Sequence, residues 1–159
     1  PRLVSSAASD VYKRQITYDP FISFEQIGSF NVKKVSFNEI LKLSDIISIH
    51  VPLSEETKYM FNKQVFSKME KKPIIINSSR GGIINERDLL DAYSNNMISG
   101  FALDVFEIEP VNETFLSKIT NEMNCILTPH NAGVTEESNE RVSKFIIKKT
   151  NEFLQNFKD

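Results

Sequence analysis

The 159-residue sequence has one cysteine, Cys125, and no tryptophan. A lone thiol permits no disulfide within the chain. That excludes a disulfide-stapled module and fits a reducing compartment, so a cytoplasmic location is expected. An excess of positive charge is also lacking. Nineteen basic residues against 21 acidic ones leave a net charge of −2, with no electrostatic footprint for nucleic acid. No apolar run is long enough to span a membrane, and the first residues lack the apolar core of a signal peptide. There is no internal repeat and no low-complexity tract. Glycine is scarce, with five residues at 28, 81, 82, 100 and 133. What is present, 40% hydrophobic and 25% charged residues, is ordinary for one globular domain with a real core.

Residues 1–15 show no strand or helix period and carry Arg2, Lys13 and Arg14 against Asp10. They resemble translated artefact sequence found at the ends of assembled reads. We set them apart as a leader foreign to the fold, a genuine N-terminal arm being the alternative. From Ile16 the pattern is regular. Ile16 to Asp19 reads as a short strand stopped by Pro20, and another short strand is expected near Val32 to Val35. Ser36, with Glu39 three residues on, has capping-box spacing and opens a helix with Ile40, Leu41 and Leu43 on its apolar side. Asp45 to Val51 reads as a buried strand closed by Pro52, and Ser54 to Tyr59 as a polar loop. Asn62 caps a short helix carrying Val65, Phe66 and Met69. Ile74, Ile75 and Ile76 read as a strand buried on both faces, as in a parallel sheet.

Asn85 caps the next helix, with Glu86 and Asp88 in a first turn where the dipole favours acids. Gly100 to Phe106 and Cys125 to Thr128 are two further strands, separated by a loop with one helical turn at 112–122. Thr135 opens a last helix whose Val142, Phe145, Ile146, Phe153, Leu154 and Phe157 form one apolar stripe. Helices alternating with apolar strands predict one α/β domain over 16–159, on a doubly wound parallel sheet.

In such a sheet, ligands sit beyond the carboxyl ends of the strands. The residues that follow the strands are Asp19, His50 to Pro52, Ser78 to Arg80, Asp104, Glu109 and His130, and a parallel sheet places them on one rim. Arg80 stands where a ligand would be, on a turn that Gly81 and Gly82 let approach closely. Taken singly, each has a plainer reading. Arg80 fits a solvated turn arginine, Asp19 a turn aspartate before proline, Glu109 a solvated turn residue and His130 a structural loop histidine. His50 reads as a satisfied histidine at a strand end. No metal site is read.

Three blocks change that balance: Asn77-Ser78-Ser79-Arg80-Gly81-Gly82, Leu103-Asp104-Val105-Phe106 through Glu109-Pro110, and Thr128-Pro129-His130-Asn131-Ala132-Gly133. In this order they resemble the signature blocks of the D-isomer-specific 2-hydroxyacid dehydrogenases, phosphoglycerate dehydrogenase-like members above all. The resemblance covers about Ile16 to Phe157. It implies a Rossmann-type NAD-binding domain and hydride transfer between NAD and a small D-2-hydroxy acid or its 2-oxo acid, with a 3-phosphoglycerate-like acid favoured. It also implies that Arg80, Glu109 and His130 form the catalytic set.

The chemistry suits those residue types. Reducing a 2-oxo acid needs a proton for the carbonyl oxygen, which an imidazolium gives near neutral pH. A carboxylate beside the imidazole favours its charged form, so Glu109 would keep His130 protonated for reduction. Arginine offers a planar fork to the substrate carboxylate or carbonyl. By resemblance, Val51 and Pro52 line the cofactor through backbone and shape. Ser78, Ser79, Arg80, His130 and Gly133 belong to the same wall, and Asp104 lies near the nicotinamide. Asp19 would accept hydrogen bonds from the adenosine ribose hydroxyls and repel a 2′-phosphate, which favours NAD over NADP.

The family's glycine-rich turn should precede Asp19 by roughly 20 residues, yet all five glycines follow it. The sheet is therefore expected to lack its first strand and its phosphate cradle, the chain being a C-terminal fragment without a substrate domain. Alone, it is expected to bind NAD poorly and catalyse nothing measurable, while the full-length protein is expected to be a homodimer. A different class stays open, an NAD-sensing scaffold like the C-terminal-binding corepressors, which keep the same triplet. Glycerate or hydroxypyruvate, glyoxylate and D-lactate stay open as substrates.

Overall fold

A computed structural model describes residues 14–23, 25–26, 32–111 and 113–155. Most of the leader, Gly28 and Phe157 therefore lie outside the described residues. Strands β1 (Ile16–Thr17) and β2 (Lys33–Lys34) pair in parallel. Helix α1 (Phe37–Leu43) leads to β3 (Ile46–Ile49), and α2 (Lys63–Phe66) leads to β4 (Ile74–Asn77). Helix α3 (Glu86–Ser94), β5 (Gly100–Leu103), α4 (Glu113–Leu116), β6 (Cys125–Leu127) and α5 (Glu136–Gln155) follow. The element order is that of the sequence reading, with shorter strands.

Local chemistry sets the helix starts. Ser36 and Glu39 form the reciprocal capping box of α1, with Glu39 Oε2 accepting from Ser36 N at 2.8 Å. Asn62 Oδ1 accepts from Val65 N at 3.2 Å, and Asn85 Oδ1 from Asp88 N at 3.0 Å, capping α2 and α3. Thr135 Oγ1 accepts from Ser138 N at 3.0 Å at the start of α5.

The main sheet is parallel throughout, in the order β3-β4-β5-β6. Its register sets Ile47, Ile75, Phe101 and Cys125 in one row and Ile49, Asn77, Leu103 and Leu127 in the next. Side chains alternate across a strand, so both rows share one face. That face carries the core, with Leu41 of α1, Phe66 of α2 and Leu89 and Leu90 of α3. The opposite face is thinner. Ile46 is 54% and Ile126 67% exposed, and Ile74 and Ile76 are only half-buried. The expected double burial of the isoleucine strand therefore holds fully for Ile75 alone, because no described helix seals the second face.

β1 and β2 form a separate two-stranded sheet. Among the described residues no strand bridges them to β3. A line of aromatic rings makes the connection instead, Tyr18 to Phe37 at 5.5 Å, Phe37 to Phe61 at 5.8 Å and Phe61 to Phe66 at 6.4 Å between centroids. Helix α5 has the expected apolar stripe but buries none of its residues, and Val142, Phe145, Ile146, Phe153 and Leu154 are each more than half exposed. Periodicity showed which side of α5 is apolar, and that side stays largely exposed.

Candidate active site

β4 ends on Asn77, a polar side chain only 2% exposed that follows three isoleucines. Its amide works in two directions. Asn77 Nδ2 donates to Arg80 O at 2.9 Å, while Oδ1 accepts from Ser79 N at 3.0 Å and Ser79 Oγ at 2.8 Å. The turn that carries Arg80 is thus folded over one buried side chain, a role the sequence reading had not assigned. The signal was there, because a buried amide must satisfy its own donors and acceptors. Gly81 then brings this turn against the next strand's loop. An added Cβ would stand 1.8 Å from Phe106 O. Gly82 has φ +77°, the left-handed region that glycine adopts freely.

The loop after β5 holds Glu109, whose Oε1 accepts from Phe106 N at 3.0 Å. Its Oε2 lies 2.7 Å from His130 Nδ1. A carboxylate only accepts, so Nδ1 donates, and Nε2 is the ring nitrogen left to exchange a proton with a substrate. The hydrogen bond from His130, and after it that from Phe106 N–H, hold the Glu109 carboxyl below its ordinary value. His130 is an exposed residue at φ 53°, a backbone conformation uncommon for a side-chain-bearing residue.

Asp104 holds the His130 loop. It is 6% exposed, and its Oδ1 accepts from Thr128 Oγ1 at 2.5 Å and Asn131 N at 3.0 Å. Its Oδ2 accepts from Ala132 N at 2.9 Å. Burial, the largest single influence, pushes the Asp104 carboxyl up. The bonds from Thr128, Ala132 and Asn131 outweigh it, and the net shift is downward. Asp104, proposed from the resemblance as a neighbour of the nicotinamide, thus has both oxygens engaged with the loop that carries His130.

Arg80, Glu109 and His130 line one open cleft of about 560 Å³, together with Lys58, Tyr59, Glu107 and others. The sequence reading took 54–59 as a polar loop and missed this. Tyr59 N donates to Gly82 O at 2.8 Å and Phe61 N to Ile83 O at 3.1 Å, so the segment is stitched to the Arg80 turn. Behind it, Glu86 and Glu107 exchange backbone bonds, Glu86 N to Glu107 Oε1 at 2.7 Å and Glu107 N to Glu86 Oε1 at 2.6 Å.

The remaining candidates spread along the rim. Ser78 and Gly133 are exposed, and a Cβ on Gly133 would meet nothing within 4 Å. Val51 packs partly against the core, and Pro52 O accepts from Thr57 Oγ1 at 2.6 Å. Asp19 lies beyond β1, on the separate small sheet, with Oδ1 accepting from Phe21 N at 2.8 Å. His50 is bonded to Ser48 Oγ at 2.8 Å, as a satisfied strand-end histidine would be. Among the described residues no group of three or more His, Cys, Asp or Glu could hold a metal ion.

The family described as "D-isomer specific 2-hydroxyacid dehydrogenase, NAD binding domain" matches residues 2–132. The chain belongs to this family. The match takes in residues 2–15, the segment set apart above as a leader. A D-3-phosphoglycerate dehydrogenase of Bacillus subtilis (strain 168) is 38% identical over 138 residues, 87% of this chain and 26% of its own length. A (S)-sulfolactate dehydrogenase of Chromohalobacter salexigens is 37% identical over 80% of this chain and 41% of its own. The crystal structure of D-lactate dehydrogenase from Aquifex aeolicus, complexed with NAD and lactic acid, superposes with a TM-score of 0.76. Its identity is 30%, over 89% of this chain and 46% of that one. The chain thus spans between about a quarter and a half of the length of these relatives. Its fold is that of the Rossmann-like NAD-binding domain in this family. No helix among the described residues is long and apolar enough to cross a membrane.

Proposed function

We propose that the intact protein carrying this domain is a cytoplasmic, homodimeric, NAD-dependent oxidoreductase of small D-2-hydroxy acids, with a 3-phosphoglycerate-like acid favoured. The observation that carries this reading is the 2.7 Å bond between His130 Nδ1 and Glu109 Oε2, on the wall of the cleft that Arg80 also lines. A paired acid–base group beside a fixed cation is what interconversion of a 2-oxo acid and a 2-hydroxy acid requires.

In the reduction direction, Arg80 binds the substrate carboxylate through its fork. His130 gives the Nε2 proton to the carbonyl oxygen, which becomes the 2-hydroxyl. Glu109 holds the ring in orientation by accepting from its Nδ1. In oxidation the neutral ring takes that proton back. NADH, when bound, supplies the hydride to the carbonyl carbon. The residues present fit the nicotinamide half of that cofactor: the open backbone at Gly133, the exposed Ser78 and the part-buried Val51 lie at strand ends of the same parallel sheet. Asp19 fits the adenosine ribose.

His130→Gln in the intact protein tests the reading. We expect a loss of about 10²- to 10⁴-fold in kcat, with NADH affinity by fluorescence titration nearly intact. Equal loss of both would make His130 a structural residue.

A further inference from the structure

We propose that Lys58 binds a second anionic group at the far end of the substrate, so that the cleft selects 2-hydroxy acids carrying two negative charges. The proposal deepens the dehydrogenase reading above and rests on it. Lys58 and Arg80 are both on the cleft wall, and neither makes an ion pair among the described residues. The two carboxylates on the same wall are already engaged. Glu109 accepts from His130 Nδ1 and Phe106 N, and Glu107 accepts from Glu86 N on Oε1 and, at 3.0 Å, from Tyr59 OH on Oε2. Each of the four oxygens already accepts a hydrogen bond, and neither carboxylate forms an ion pair with Lys58.

Lys58 is also held in place. Its backbone N donates to Ser54 O at 2.9 Å, and the next residue is tied to Gly82 O at 2.8 Å. Tyr59 adopts φ 50°, a left-handed conformation that a tyrosine rarely takes, and keeps it through that bond and the Glu107 bond. Lys58 Nζ stands 5.7 Å from the Tyr59 ring centroid. A chain segment strained against the Arg80 turn thus carries a second cation to the same cleft. Arg80 is matched by the carboxylate next to the reacting carbon. A singly charged acid leaves the Lys58 ammonium unmatched, whereas a phosphate, sulfonate or second carboxylate at the far end meets it. A compact ammonium suits any of these oxyanions.

The test compares the intact protein with Lys58→Ala and Lys58→Arg on 3-phosphoglycerate, 3-sulfolactate and malate, each against D-glycerate. For at least one doubly charged acid, Lys58→Ala should lower the ratio of its kcat/KM to that of D-glycerate by about 10- to 100-fold, mainly through KM. Lys58→Arg should keep most of the ratio. A ratio that does not move, equal losses on all acids, or turnover of D-glycerate with none of the three by the unmutated protein would overturn the proposal. Should the unmutated protein turn over no acid at all, the dehydrogenase reading fails. Calorimetric binding of the same four acids then decides the role of Lys58. A Kd that weakens for a doubly charged acid alone upholds it, and a Kd that moves for none or for all overturns it.

Discussion

Replacing Gly81 by alanine should force the Arg80 turn away from the Phe106–Glu109 loop. The new Cβ would lie 1.8 Å from Phe106 O, 2.4 Å from Phe106 C and 3.1 Å from Glu107 N. Ordinary contact begins at 3.4 Å, so the segments must part by about 1.6 Å, the difference between 3.4 and 1.8 Å. Neither side yields easily. Asn77 Nδ2 holds Arg80 O at 2.9 Å and Tyr59 N holds Gly82 O at 2.8 Å on one side. On the other, Glu109 holds Phe106 N, and the Phe106 ring packs on Phe115 at 5.9 Å. Overpacking against side chains costs about 1–3 kcal/mol. Here the clash is with backbone, so the upper end, about 3 kcal/mol, is expected. At about 2–4 °C per kcal/mol for a domain of this size, the melting transition of this domain should fall by roughly 6–12 °C. Shifting the arginine by about 1 Å relative to the Glu109–His130 pair should also lower kcat/KM by about 100-fold. Thermal melts and steady-state NADH oxidation with a 2-oxo acid measure both quantities in the intact protein. A variant with the parent's melting temperature and kcat/KM would refute the claim that this backbone contact sets the site.

Two further substitutions probe the loops around the acid–base pair. The bonds from His130 and Phe106 N hold the Glu109 carboxyl down in the folded state. Its contribution to stability is therefore whole above the unfolded value, about 4.3, and is lost as the pH falls through the lower folded value. Glu109→Gln should flatten the loss of stability between about pH 5 and pH 3, modestly because the side chain is 36% exposed; urea midpoints with the same slope as the parent would refute this. Asp104→Asn replaces an acceptor with an NH₂ that faces Thr128 Oγ1 or the N–H groups of Asn131 and Ala132. A loss of about 2 kcal/mol is expected, together with faster amide exchange at Asn131 and Ala132, and unchanged exchange there would show that Asp104 does not hold the loop.

What could be read from the sequence was what short-range chemistry decides. The caps at Ser36, Asn62 and Asn85 are contacts within three residues, so residue spacing alone reveals them. The three signature blocks fall where the sheet turns over into its rim. Asn77 escaped although its partners, Ser79 and Arg80, are as close in sequence, because at the end of an isoleucine run it reads as the close of a strand and not as a cap. Lys58 escaped for the reason that a polar loop reads as solvated until the backbone bonds that pin it to Gly82 and Ile83 are known. The α5 stripe is the converse case. A helical period says which side is apolar, not whether anything lies against it, and Phe145 and Ile146 stay exposed. Likewise Ile46 and Ile126 look as buried in the sequence as Ile75, because the neighbour that would cover them is not encoded within a strand.

The precision of the site follows from two buried polar side chains at the ends of adjacent strands. Asn77 is the last residue of β4, in register with Leu103 of β5, and Asp104 follows directly, its N donating to Asn77 O at 3.0 Å. Asn77 folds the turn of Arg80, and Asp104 holds the loop of His130. The offset between the cation and the acid–base pair is therefore tied to the spacing of two paired strands, about 4.8 Å, and not to the reach of flexible side chains. Burying an amide and a carboxylate without partners would cost several kcal/mol, and among the described residues no buried side-chain nitrogen or oxygen lacks a partner. The same bonds that satisfy Asp104 keep His130 at its uncommon φ of 53°. Loop and strand ends are therefore coupled. A change that frees the Asp104 carboxylate removes both its compensation and the constraint on the histidine, so stability and proton transfer are expected to fall together.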